Sequence, residues 1–244
     1  MPVMKAGPGR ALVGGGGETY DQKVLATGPI AYWPQSETAG VTAHCLVNPL
    51  QDGTYTGVTL ADDLTGPFGT PAPFYDGAND YLNVLTATLG TAFNKDEHTI
   101  SMWAKMANAG VWTDGLRRVF MSIIGANAGN ATLMRKDVAN TQFLWYAAWQ
   151  GSLLNHTRNP IAETGWMYIT ITRSVIANSM QAYYQGAVEG APVAAIAANV
   201  APLTVAMIGA STIVPSDPAH AWIGPVAIWN RVLPQGTITA LYNC

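Results

Sequence analysis

From residue 20 onward the chain reads as short runs in which apolar and polar residues alternate, cut at intervals by glycine, proline, asparagine and aspartate. A period of two marks a strand with one buried face, and turn residues at such frequency leave little room for long helices. The pattern predicts an antiparallel β-sandwich. In 99–106, TISMWAKM, alternation puts Ile100, Met102, Ala104 and Met106 on the core face and Thr99, Ser101, Trp103 and Lys105 on the other. Segment 166–185 holds two such runs joined through Val175 to Asn178, and Gln185-Gly186 then supplies a tight turn, so a three-strand meander is predicted. Segments 203–209 and 222–230 give two more strands, with Val226 and Ile228 sharing one face. Ile238, Leu241 and Tyr242 recur at helical spacing, enough for about two turns of helix laid on the sandwich edge. Within 107–160, WTDGLRRVF and FLWYAAWQ read as strands from apolar content alone.

With 244 residues, 49% of them apolar, one domain over 20–244 can bury a full core. Residues 1–19, with glycine unbroken from Gly14 to Gly17, read as a flexible arm. Lys5, Arg10, Leu12 and Val13 are its candidate partner contacts. No Gly-Lys-Ser/Thr follows the glycine run, which argues against a phosphate cradle. Charged residues are 11% of the chain, against about 25% in an average domain, so the surface suits coverage by neighbours. A net charge of −3 without a basic cluster beyond Arg117-Arg118 and Arg135-Lys136 argues against nucleic acid. The start lacks the apolar stretch of a signal peptide, and the apolar tract 191–210 is broken by Pro192, Asn199, Pro202 and Thr204, which predicts a soluble, unexported protein with no membrane partner. Cys45 and Cys244 are too few for a disulfide scaffold and read as free thiols, with one bond within or between subunits as the alternative.

Four segments carry a family resemblance. They are 20–33, YDQKVLATGPIAYW, leading into Gln35-Ser-Glu-Thr38; 74–84, FYDGANDYLNV; 98–106, HTISMWAKM; and 165–186 together with 220–242, HAWIGPVAIWNRVLPQGTITALY. In this order they resemble landmarks of the LamG-like (concanavalin A-like) jelly-roll family: its opening helix and strand, its F-D-G-x-x-D-Y turn, its T-x-S-x-W strand, and its closing strand and helix. The resemblance implies an all-β antiparallel jelly-roll with a short C-terminal helix, a fold that hosts lectins, glucanases and structural modules. Two departures remove carboxylates: Gly224-Pro225 stands where the family commonly has an acidic pair, and Gln185-Gly186 replaces an Asp-Gly turn.

Glucanases on this fold need paired carboxylates facing one way across the glycosidic bond. The five glutamates are scattered, and Asp62-Asp63 and Asp96-Glu97 are neighbours that should point to opposite faces and sit in turns, so no catalytic residue is assigned. Asp76, Asn79 and Asp80 have oxygen spacing suited to Ca²⁺, but a structural turn is the stronger reading and no cofactor is otherwise implied. His156 and His220 stand isolated and read as surface or capping residues. Among eight tryptophans, Trp112, Trp145 and Trp149 are candidates for stacking on sugar rings, against the commoner role of filling cores and interfaces. The sequence therefore predicts a non-catalytic structural or binding protein. A LamG-like module of stand-alone size, unexported and poor in charge, resembles phage structural proteins. The resemblance implies as first reading a phage virion component, a capsid decoration protein assembled in the host cytoplasm, homo-oligomeric or bound to partners such as the major capsid protein. A lectin-like carbohydrate-binding module, with Ca²⁺ if any metal, is the alternative, and a glycosidase the weaker third.

Overall fold

The computed structural model describes residues 17–126, 131–138, 143–149, 152–158, 163–194, 198, 202–212 and 216–244; for 143–149 and 152–158 it describes the backbone. Two antiparallel sheets face each other. The first runs in the order β14 (Ala187–Val193), β13 (Ser179–Tyr184), β12 (Met167–Ser174), β7 (Glu97–Met106), β16 (His220–Trp229), β5 (Ala72–Asp76) and β4 (Thr59–Asp63), with β1 (Ala31–Trp33) also paired to β16. The second runs β11 (Ser152–Arg158), β10 (Phe143–Trp149), β9 (Ala131–Lys136), β8 (Arg118–Gly125), β15 (Leu203–Ile208), β6 (Tyr81–Asn83), β3 (Gly53–Thr56) and β2 (Thr42–Ala43). This is the antiparallel sandwich that the alternation predicted, in the form that the family resemblance implied.

The predicted core face of β7 is buried: Ile100, Met102, Ala104 and Met106 join Ile169, Ile171, Val226 and Ile228, and meet Phe120, Met121, Ile123, Met134 and Ile208 of the second sheet. The meander at β12 to β14 forms as read, and Gln185 and Gly186 turn it with φ of 52° and 75°. The two other runs fare differently. FLWYAAWQ gives β10, whereas WTDGLRRVF becomes strand only from Arg118, because Ala109–Thr113 closes as a 3-10 turn capped by Asn108.

The opposite face of the first sheet is not left to solvent, and it corrects the placement of the terminal helix. Of the three helices among the described residues, α2 (Ala87–Ala92) follows β6, whereas α1 (Tyr20–Ala26) and α3 (Gln235–Tyr242) lie on the sheet's outer face, where Tyr20, Val24, Ile238 and Leu241 cover Trp103, Tyr168, Tyr183, Ala227 and Trp229. The reason is the size of those outward side chains: each large apolar group removed from water contributes about 1.5–3 kcal/mol, which a helix at the edge would forgo. A capping box between Thr19 and Gln22 starts α1. No side chain caps α3, so its hold comes from Ile238 and Leu241 and from the Thr239 hydroxyl, which donates to the Gly186 carbonyl at 2.6 Å. Helix α1 and its cap are the first elements of the described chain.

Candidate functional site

Beyond the helices, the outer face of the first sheet carries a cross-strand row of large side chains. Strand pairing sets Trp222 of β16 opposite Phe74 of β5 on one side and Lys105 of β7 on the other. One residue before β12, Trp166 extends the row past Lys105, following the register that pairs Met167 with Ala104. The register of β16 shifts between Ile223 and Val226, where Gly224-Pro225 lies. The extra residue lets Trp222 and Trp229 share the outer face although they are seven positions apart, while Ala221, Ile223, Val226 and Ile228 all point inward. Proline has no N–H for a ladder, and the Gly224 carbonyl is taken by the Gln35 amide at 2.6 Å. The dipeptide that replaces the family's acidic pair is thus the bulge that aims Trp222.

The row is tied together by charge. The Lys105 ammonium lies 4.4 Å from the Trp222 ring centre and 5.3 Å from that of Trp166, and it forms an ion pair with Asp63. Such cation–π contacts contribute about 0.5–2 kcal/mol each, depending on desolvation. Burial raises the Asp63 pKa, but the Lys105 ammonium and the amide and hydroxyl of Thr65 more than offset it, so the carboxyl sits below its ordinary value. The Trp222 indole N–H donates to Asp62 Oδ2 at 2.8 Å. Phe74 packs at 4.9 Å from Trp222 and 5.7 Å from His220. Burial, and then the Arg118 guanidinium, lower the His220 pKa, so its ring is neutral at pH 7.

This geometry revises three readings. Asp62 and Asp63 lie in β4 rather than a turn, and both reach the outer row: the register shifts between Thr59 and Asp63, and Ala61 has φ 52°, which breaks strict alternation. His220 is not isolated but stands at the row's end. Trp112 is fully buried, with its indole N–H donating to the Glu163 carbonyl at 2.8 Å, so no sugar can stack on it; the turn that carries it folds into the sandwich core.

The backbone of Trp145 and Trp149 lies in β10, but their side chains fall outside the described residues, as do Lys5, Arg10, Leu12 and Val13 altogether. Asp76 and Asp80 come together in a turn: Asp80 Oδ2 accepts the Asp76 N–H at 2.9 Å, and Asp76 Oδ1 accepts that of Ala78 at 2.8 Å, while Asn79 is exposed. Burial, with the Asp76 charge, raises the Asp80 pKa. Among the described residues no three His, Cys, Asp or Glu side chains converge to hold a metal ion, and Cys45 and Cys244 are free.

Sequence reasoning passed over Phe74, Lys105 and Trp222, and it noted Trp166 beside a polar turn without choosing it as a stacking candidate. Trp222 and Lys105 each occupy the non-core phase of an alternating strand, a signal visible in HAWI and WAKM. Their meeting across strands depends on register, which one sequence does not display.

A sandwich of this topology with a strand-to-helix closure can be placed among known proteins. The family model Laminin_G_3, concanavalin A-like lectin/glucanases superfamily, matches residues 76–239. The chain belongs to this family. No curated protein matches it. Among solved structures, the receptor-binding domain of botulinum neurotoxin mosaic serotype C/D is similar at 13% identity and a TM-score of 0.65, over 88% of this chain and 50% of that one. The Trypanosoma rangeli sialidase in complex with sialic acid is similar at 10% identity and a TM-score of 0.65, over 90% of this chain and 33% of that one. The botulinum neurotoxin serotype D binding domain aligns at 13% identity and 0.63, over 91% and 52%. At these identities the likeness is one of fold, and the chain spans half or less of the sialidase and the mosaic domain and about half of the serotype D domain. No helix among the described residues is long and apolar enough to cross a membrane.

Proposed function

We propose that this protein is a non-catalytic carbohydrate-binding domain that holds sugar rings on the outer face of its first sheet. The observation that carries the reading is the row Phe74, Trp222, Lys105 and Trp166 with Asp62 beside it. Partly exposed aromatic faces accept the C–H faces of pyranose rings, while a carboxylate and an ammonium in the same plane meet the hydroxyls. Similarity in fold to a receptor-binding domain and to a sialidase holding sialic acid agrees with this use of the scaffold. Glycoside hydrolysis needs a carboxyl whose pKa is raised to act as acid; in the row Asp63 is held in the opposite direction by Lys105, and Asp80, whose pKa is raised, is 2% exposed with Oδ2 turned to the Asp76 N–H. A glycan array tests the reading: wild type binds, and Trp222→Ala or Phe74→Ala abolishes binding without loss of fold. Binding is expected to survive chelator, because among the described residues no three His, Cys, Asp or Glu side chains converge to hold a metal ion. Failure of the wild type to bind any glycan overturns the proposal.

A second reading, a capsid decoration protein that contacts neighbouring virion subunits, is favoured by a different observation. Val41, Leu46, Val47 and Leu50 are all exposed around the short edge strand β2 on a chain with only 11% charge. Here deletion of residues 1–19 is expected to abolish incorporation into particles, and full occupancy by the truncated protein overturns it.

A further inference from the structure

Resting on the reading of the row as a sugar-binding face, we infer that its ligand is a linear, uncharged oligosaccharide laid across the strands, rather than a single terminal sugar or an acidic one. Phe74, Trp222, Lys105 and Trp166 belong to four neighbouring chain segments in register. Three inter-strand steps of about 4.8 Å give a platform about 14 Å long, more than one pyranose ring occupies. Its two indoles stand on either side of one lysine, so successive rings find an aromatic face, then hydrogen-bond donors, then a second aromatic face.

Charge selects the class. The carboxylates of Asp62, Asp63 and Asp76 lie along the face or at its end, and Lys105, the row's own cation, is already paired with Asp63. The next cation, Arg118, is 7% exposed and directs its donors to Asp114 and to the carbonyls of Gly77 and Pro218. His220 is neutral at pH 7. Among the described residues, a sialic acid or uronate carboxylate entering this face meets like charge without an uncommitted cation to receive it, whereas a neutral sugar hydroxyl meets Asp62, which accepts the Trp222 N–H and has lone pairs left for further donors.

The test is calorimetric titration with neutral gluco-, manno- and galacto-oligosaccharides of increasing length, alongside sialylated and uronate-containing glycans of matched length. For the neutral series that binds, affinity is expected to rise about tenfold or more from monosaccharide to trisaccharide, with acidic counterparts weaker by about the same factor. Asp62→Asn, checked for an unchanged unfolding midpoint, should narrow the gap between neutral and acidic ligands. Affinity independent of length, or tighter binding of acidic glycans, overturns this inference and leaves the proposed function standing. Binding of no glycan overturns the proposed function itself.

Discussion

Trp222 and Asp62, far apart in the chain, are joined by a 2.8 Å hydrogen bond from the indole N–H to the carboxylate. The bond fixes the ring that Lys105 flanks and Phe74 abuts, so a stacking surface is set before any ligand arrives. Asp62→Ala is expected to weaken sugar binding about tenfold, since a hydrogen bond to a charged group contributes about 1.5–3 kcal/mol and exposure to water reduces that. Because Asp62 is exposed, the unfolding midpoint should barely move. Intrinsic fluorescence titration reads both the affinity and the change in the indole's surroundings. An unchanged affinity would detach Asp62 from the site.

The strands, the meander and the C-terminal helix were legible because they rest on local patterns, whereas the opening helix came from the family resemblance. Alternation in TISMWAKM, the Gln185-Gly186 turn and the spacing of Ile238 and Leu241 each follow from a few adjacent residues. The binding row was not legible, because it depends on which strands neighbour which: Phe74 and Trp222 meet only after β5 pairs with β16. Two irregularities also defeat a strict period of two. Ala61 at positive φ brings Asp62 and Asp63 to one face, and the bulge at Gly224-Pro225 changes the phase of β16. Trp112 misled for the complementary reason, since polar neighbours in sequence do not reveal that a 3-10 turn folds inward.

Acid should destabilise the protein through His98. Its ring is buried on the inner face of β7, with Nδ1 3.1 Å from the Asn94 carbonyl, Phe93 at 4.9 Å and Arg173 as its cross-strand neighbour. Nε2 lies 3.5 Å from the Thr132 hydroxyl, and the nearby carboxylate of Asp96 opposes the shift only in part. Burial, then the Arg173 charge, push its pKa down from 6.5 to about 3. The unfolded chain therefore takes up the proton first, so stability is full above pH 6.5 and falls as pH drops toward 3, by up to about 1.4 kcal/mol per unit. The lowered carboxyls of Asp63 and Asp114 add to the loss at the acid end, while the raised Asp80 works against it. Urea unfolding between pH 7 and 4 should show this slope, and His98→Gln should flatten it. A slope that His98→Gln leaves unaltered assigns the acid sensitivity elsewhere.

Asp114 holds two cations, Arg118 and Lys136. Its Oδ1 lies 2.6 Å from the ammonium of Lys136, which is 0% exposed, and its Oδ2 lies 2.9 Å from Arg118. These bonds join the loop after Ala109–Thr113 to β8 and β9. Asp114→Asn leaves Lys136 buried without a countercharge, a change that costs about 3 kcal/mol or more. Lys136→Met restores much of the loss in the double variant, because it removes the stranded charge while keeping the side chain's bulk. Chemical denaturation of the two single variants and the double one measures the coupling; additive effects would show that the pair does not act as a unit.

Gly209 follows β15 directly and permits a close backbone approach to Tyr75. Its φ is 85°, and a Cβ there would lie 2.3 Å from Cδ1 and 2.4 Å from Cε1 of Tyr75. Tyr75 cannot retreat: it is fully buried in the core, and its hydroxyl donates to Gln35 Oε1 at 2.7 Å. The Gln35 amide in turn donates to the Gly224 carbonyl, so the strain would pass from Tyr75 to the bulge that aims Trp222. Backbone strain at positive φ costs about 1–3 kcal/mol and overpacking a further 1–3, so Gly209→Ala should destabilise by at least about 2 kcal/mol. If the Gln35 link transmits the shift, sugar affinity falls as well, although residue 209 lies outside the row. Tyr75→Phe supplies the control: it breaks the link to Gln35 while keeping the ring in place. Loss of affinity in Gly209→Ala but not in Tyr75→Phe would mean that the ring's displacement, and not the hydrogen-bond chain, disturbs Trp222.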